Sequence, residues 1–278
     1  MNFFEKILDI ITYRAASAPK SFGIFHLTLL ITTILFAVIL PIKFKNSSEK
    51  DFRKILLILW CVMLIGEIYH QTAFSFNVEN GEAVWRYQWH KFPFQFCATP
   101  LYILPLAIFS KKKMIRDSAL SFLSCFSLFA GLAVSVYPND VFTTLVGANI
   151  QSLVHHGLQI VIGVMIAVHN RQRLNSKFFL KGVYLFLIIT SIAMAMNEIA
   201  YGVIQKAQIN EAFNMFYISP YYDCSLPVLG DLYHILPYPA FIALYVLGFV
   251  CIAALVFYIQ KATLLFSHID KTKTKGMF

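Results

Sequence analysis

Charge is scarce in this chain: Asp, Glu, Lys and Arg make up 13% of its 278 residues. Soluble domains carry about a quarter, so a fully water-solvated surface is excluded. Cysteine is sparse too, with Cys61, Cys97, Cys125, Cys224 and Cys251 at spacings that contain no CxxC. Neither a disulfide framework nor a zinc cluster is indicated, and no metal or other cofactor is expected. The chain shows no clear internal repeat, which weighs against the duplicated architecture of many transporters. Its first residues, 2–13, carry Glu5, Lys6 and Asp9 and lack the basic start and small-residue cleavage site of a signal peptide.

What is abundant is apolar surface. Hydrophobic residues reach 58%, 27 of the residues are Phe, and mean hydropathy is +0.66. These values predict an integral membrane protein of all-α class, a polytopic bundle in a cell membrane, with a bacterial plasma membrane as the expected location. The net charge of +9 would suggest nucleic acid in a soluble chain. Here the bases lie in short loops between apolar runs and read as topology signals, so lipids rather than nucleic acid are the expected partners.

Residues 1–20 contain an amphipathic stretch suited to an interfacial helix. Residues 21–268 follow as one transmembrane domain, with spans at about 22–41, 54–76, 92–110, 117–136, 144–168, 178–204 and 238–266. Residues 205–237 form a long Tyr- and Pro-rich connection, expected to fold as a cap on the outer side, and 269–278 form a basic tail. The connections after the first, third and fifth spans, counted with Lys54 and Lys181 at the starts of the spans that follow, and the C-terminal end from Lys261 hold 17 of the 23 Lys and Arg. Seven spans, an outer N-terminus and a cytoplasmic C-terminus follow from the positive-inside rule.

The fifth span carries the strongest signal. Asn149, Ser152, His156 and Gln159 share one helical stripe, with Gln151 and His155 on the neighbouring line. Ionisable rings at such depth are costly, so other helices must cover this face and bring partners. Glu67, His70 and Gln71 stand at i, i+3 and i+4 on the second span, and Asn197 and Glu198 near the end of the sixth. Gln95 and Cys97 open the third span, which Pro93, Pro100 and Pro105 should bend or break. At about 1.5 Å of rise per residue, Cys97 falls roughly 8 Å from the outer end of its span, His70 and Glu198 roughly 9 Å, Glu67 roughly 13 Å and His156 roughly 18 Å. The expected site is a polar pocket in the outer half of the bundle.

Two chemistries suit these residues. A thiol beside an imidazole is the minimum for covalent acyl transfer, with a carboxylate to orient the ring and amides to hold an oxyanion. The ExxH spacing of Glu67 and His70 is also the unit of carboxylate-bridged metal bundles, which His155, His156 and Glu198 would have to complete. Passage of a lipid or small molecule through the same cavity is the non-enzymatic reading.

The segment FPFQFCATP around Cys97, the helix IQSLVHHGLQIVIG, and the later NMFYISP and LPYPAF resemble the YwaF-type integral membrane proteins, a family that includes eukaryotic transmembrane protein 164. The resemblance spans about residues 60–249. It implies a membrane-embedded acyltransferase acting on glycerophospholipids, with Cys97 as the acyl-accepting residue and His156, or His155, as the helix histidine. Asn214 and Pro220 match the motif ahead of the last span. Cys97 is followed by Ala98, where the eukaryotic protein has a His, so the resemblance alone does not supply the base. The expectation is therefore a Cys97 nucleophile, His156 or His155 as base, and a surrounding shell of Glu67, His70, Gln71, Gln95, Asn149, Gln151, Asn197, Glu198 and Asn214.

Overall fold

The computed structural model describes residues 2–138 and 141–275, with side chains to residue 264. Residues 276–278 of the expected tail lie outside the described residues. The chain starts with α1 (Phe3–Ile11), whose Asn2 and Glu5 form a reciprocal capping box. Glu5 and Leu8 are buried while Phe3 and Ile10 face outward, so the two sides of this short helix do not divide into charged and apolar. The strand-like pair of Arg14 and Leu145 and the bond from Ala15 N to Thr144 O tie the segment after it to the start of the histidine helix.

Two long helices follow, α2 (Ile24–Phe44) and α3 (Glu49–Ser75). The latter is capped by the Ser48 hydroxyl, which accepts from Asp51 N. It runs into a hairpin of β1 (Phe76–Glu79) and β2 (Glu82–Trp85), turned at Asn80-Gly81. Both turn residues have positive φ, the requirement of a tight two-residue hairpin.

The proline-rich segment does break its helix. Residues 92–95 form a tight turn and bend, with Phe94 N bonded to Phe92 O at 2.7 Å, 96–98 form a 3₁₀ turn, and α4 (Pro100–Phe109) begins at a proline, where no backbone donor is needed. Next come α5 (Lys113–Phe122), a π-helical turn at Leu123–Ser127 and α6 (Leu128–Val136), which form one rod. The rest is α7 (Val146–His169), α8 (Ser176–Ala207), a short α9 (Leu229–Ile235) and α10 (Tyr238–Lys275).

Among the described residues, five helices are long and apolar enough to cross a bilayer: α2, the α5–α6 rod, α7, α8 and α10 as far as Leu264. The second and third of the seven expected spans are not in this set. The segment Phe96–Phe109 is apolar but shorter than a span, its start set by the irregular proline-containing stretch before it.

The rod and α7 are the most buried of the five, and α2 presents most of its apolar surface outward. Close approach at the centre depends on glycine. A Cβ on Gly131 of α6 would stand 2.6 Å from the carbonyl oxygen of His156, and one on Gly157 of α7 would stand 2.4 Å from Thr33 Oγ1 of α2. Behind the Cys97 turn, Phe96 makes edge contacts with Phe122, Phe186, Phe216 and Phe249 at centroid distances of 4.9 to 6.1 Å. This aromatic cluster fixes the residue before Cys97.

Candidate functional site

A cavity of about 520 Å³ opens between α3, the 89–98 segment, α7 and the 212–225 connection. Cys97, His155, His156, Glu67, His70, Gln95, Gln151 and Asn214 all line it. Gln71, Asn149, Asn197 and Glu198, placed in the site by their depth in the sequence, do not.

The Cys97 turn is held by α7 through its backbone. His155 Nε2 lies 2.9 Å from the Cys97 carbonyl oxygen, and Gln159 Nε2 donates to the same oxygen at 2.6 Å. Cys97 and His155 therefore stand at one level, although helical rise separated Cys97 from the histidine pair. The stretch 92–98 is a turn followed by a 3₁₀ segment rather than α-helix, so a count at helical rise does not give the level of Cys97.

These bonds also fix the ring tautomers. A carbonyl oxygen only accepts, so His155 carries its proton on Nε2, and His156, whose Nδ1 is 2.7 Å from the Ser152 carbonyl, carries its proton on Nδ1. The remaining nitrogens, His155 Nδ1 and His156 Nε2, are buried and have no partner among the described residues. Each histidine thus keeps one basic lone pair beside the cavity. The two rings contact each other edge to face at 5.7 Å.

On the facing wall, Glu67 Oε1 accepts from Gln71 Nε2 at 2.7 Å and lies 3.7 Å from His70 Nδ1. Gln71 sits behind this wall. Its amide also donates to the Lys91 carbonyl at 2.9 Å and accepts from the Tyr87 hydroxyl at 2.9 Å. Burial, then the Glu67 and Tyr102 charges, pushes the Tyr87 phenol up to about 12, which keeps it a donor.

The other amides hold irregular backbone. Asn149 bonds both the N–H and the carbonyl of Thr143, at 2.9 and 2.7 Å. Asn197 does the same for Met215, at 2.7 and 3.0 Å. Gln95 donates to Asn214 O and accepts from Phe216 N, both at 2.9 Å. Asn214 itself accepts from Ser219 N and reaches the carbonyls of Tyr222 and Asp223. These clamps enclose Phe216 and Tyr217, whose φ values of 62° and 56° are left-handed and costly for side chains of this size. Glu198 faces elsewhere and accepts from the Tyr221 hydroxyl at 2.7 Å.

Among the described residues, no three His, Cys, Asp or Glu side chains converge as a metal site. The ExxH reading fails on the same geometry, because Glu198 is drawn away to Tyr221. Residues the sequence left without a role also appear here: Gln159 as the second anchor of the Cys97 carbonyl, and Lys91, Tyr217, Tyr222 and Asp223 in the cavity wall.

The fold and this chamber define a helical membrane protein with a thiol-containing cavity between its helices and two irregular segments. The chain belongs to the TMEM164 family, whose model matches residues 21–261. No curated protein and no solved structure matches it.

Proposed function

We propose that the protein is a membrane-embedded acyltransferase that moves a fatty acyl chain between glycerophospholipids through a thioester on Cys97. The observation that carries this reading is that one thiol and two imidazoles, each with a free basic nitrogen, line one cavity with largely apolar walls. Such a chamber suits lipid tails and a single reacting carbonyl.

In the first half-reaction the imidazole of His156 or His155 takes the Cys97 proton, and the sulfur attacks the ester carbonyl of the donor lipid. The ester C–O bond breaks, and the imidazolium returns its proton to the departing lysolipid oxygen. In the second half, the same nitrogen takes the proton of an acceptor hydroxyl. That oxygen attacks the thioester, the C–S bond breaks, and Cys97 regains its proton. His155 and Gln159 hold the Cys97 carbonyl and so orient the turn that presents the sulfur. Glu67 and His70 form the polar wall opposite α7, and Gln151 adds an amide on the α7 side.

The reading extends to topology. We place seven crossings, with α3 and the 92–110 segment completing the set, the N-terminus outside and the C-terminus in the cytoplasm. The basic connections support this because they meet at one end of the bundle. Arg171 donates to the Lys45 carbonyl and to Asn46, Arg53 and Arg116 both pair with Glu49, and Arg173 and Lys181 both pair with Asp117. The 205–237 connection then forms the outer cap over the Cys97 cavity.

The test is transfer in nanodiscs from a phospholipid with a labelled acyl chain to an unlabelled lysophospholipid. Label should appear in the acceptor with wild type and vanish with Cys97→Ala. Transfer undiminished in Cys97→Ala, or movement of intact lipid without acyl exchange, discards the covalent scheme; the second outcome points to transport.

A further inference from the structure

Among the described residues lining the Cys97 cavity, Lys91 is the only Lys or Arg. Each acid in that lining already has company: Glu67 has Gln71 and His70, and Asp223 has His234 at 3.9 Å. The neighbouring His90 is 3.6 Å from Glu211. Lys91, by contrast, has no carboxylate partner among the described residues, and its Nζ stands 5.1 Å from the centroid of the Phe74 ring. The residue is pinned from behind, because its carbonyl accepts from Gln71 and its N–H donates to Gln88 O at 2.9 Å. Burial lowers its pKa from the ordinary lysine value. A half-buried ammonium held over an aromatic face, beside a cavity, with no counter-charge among the described residues, is a place for an anion to complete.

We propose that Lys91 anchors a phosphate group, carried by a lipid whose acyl chain enters the cavity toward Cys97. The choice of a lipid as carrier rests on the acyl-transfer reading; the need for an anion does not. Phe92 and Pro93 follow Lys91 directly and line the same cavity, so an apolar wall leads from the ammonium toward the Cys97 turn. A molecule with an anionic head and an oily tail fits both features, and a neutral lipid fits only the second.

The experiment compares dissociation constants of detergent-purified protein for lysophosphatidic acid and for a monoacylglycerol of the same chain, with inorganic phosphate as a third arm. Wild type should prefer the phosphorylated lipid roughly tenfold or more, the value of one charge-assisted contact. Lys91→Gln should remove that preference while leaving monoacylglycerol affinity unchanged, and Lys91→Arg should retain it. Unchanged monoacylglycerol binding in Lys91→Gln also reports that the variant is folded. Equal affinity of wild type for the two lipids, or a preference that survives Lys91→Gln, overturns the proposal. Inorganic phosphate binding as tightly as the lysolipid overturns the lipid as its source and assigns the site to the free anion. Two arms separate this idea from the thioester: a preference that Cys97→Ala keeps while losing acyl transfer supports both, a preference kept where wild type transfers no acyl chain leaves the phosphate site standing alone, and acyl transfer by wild type with no preference between the two lipids leaves the thioester without it.

Discussion

Asn197→Ala should loosen the wall of the cavity without touching its chemistry. The Asn197 side chain is fully buried and makes two bonds to Met215, whose own N–H and carbonyl are sealed from solvent. Removing it leaves two buried backbone groups unpaired, at about 1–3 kcal/mol each. The left-handed strain at Phe216 and Tyr217 is present with or without Asn197, so it does not offset this loss and only makes opening easier. At the low end, about 2 kcal/mol, the segment should open about 30-fold more often. Hydrogen exchange read by mass spectrometry over peptides containing residues 213–219 measures this directly, and Asn197→Asp, which keeps the acceptor for Met215 N, should fall between the two. Exchange in Asn197→Ala that matches wild type would refute the clamp.

Three further outcomes follow from the same contacts. Gly131→Ala places a methyl 2.6 Å from a backbone carbonyl that cannot swing aside; it should cost about 1–3 kcal/mol, seen as a lower midpoint of thermal unfolding in detergent. Asp117→Asn removes the shared partner of Arg173 and Lys181. Because both cations are about a third exposed, the loss should be near 2 kcal/mol rather than the larger cost of a sealed pair, again by thermal unfolding. Gln159→Ala should slow alkylation of Cys97 by less than tenfold, since His155 still holds the carbonyl, whereas Gln159→Ala with His155→Ala should change it by more than the two single variants combined; site-resolved mass spectrometry of maleimide labelling reads both.

The apolar runs made the helices legible because long hydrocarbon-compatible segments have few alternatives to helix. Cys97 and the two histidines border one cavity, a neighbourhood the polar residues suggest although helical rise sets them at different depths. The amides were harder. Gln71, Gln95, Asn149 and Asn197 are polar groups in an oily setting, and so is a ligand-binding residue; only coordinates reveal that they hold broken backbone at 91, 143 and 214–216. Glu198 sits one residue from Asn197 in sequence, yet about 100° around a helix separates them, enough to turn it to Tyr221. Lys91 looked like one more loop base, because its lack of a counter-charge is a property of the assembled wall. The hairpin at Asn80-Gly81 was missed: the pair is a turn signal, but a reading guided by hydropathy passes over it.

Acyl transfer by this protein runs, in the proposed scheme, through the sulfur of Cys97. Protein purified from a lipid-containing membrane and analysed by intact mass should carry an acyl-sized adduct that hydroxylamine removes, and Cys97→Ala should carry none. Absence of any labile adduct, together with undiminished acyl transfer by Cys97→Ala, would contradict the central claim.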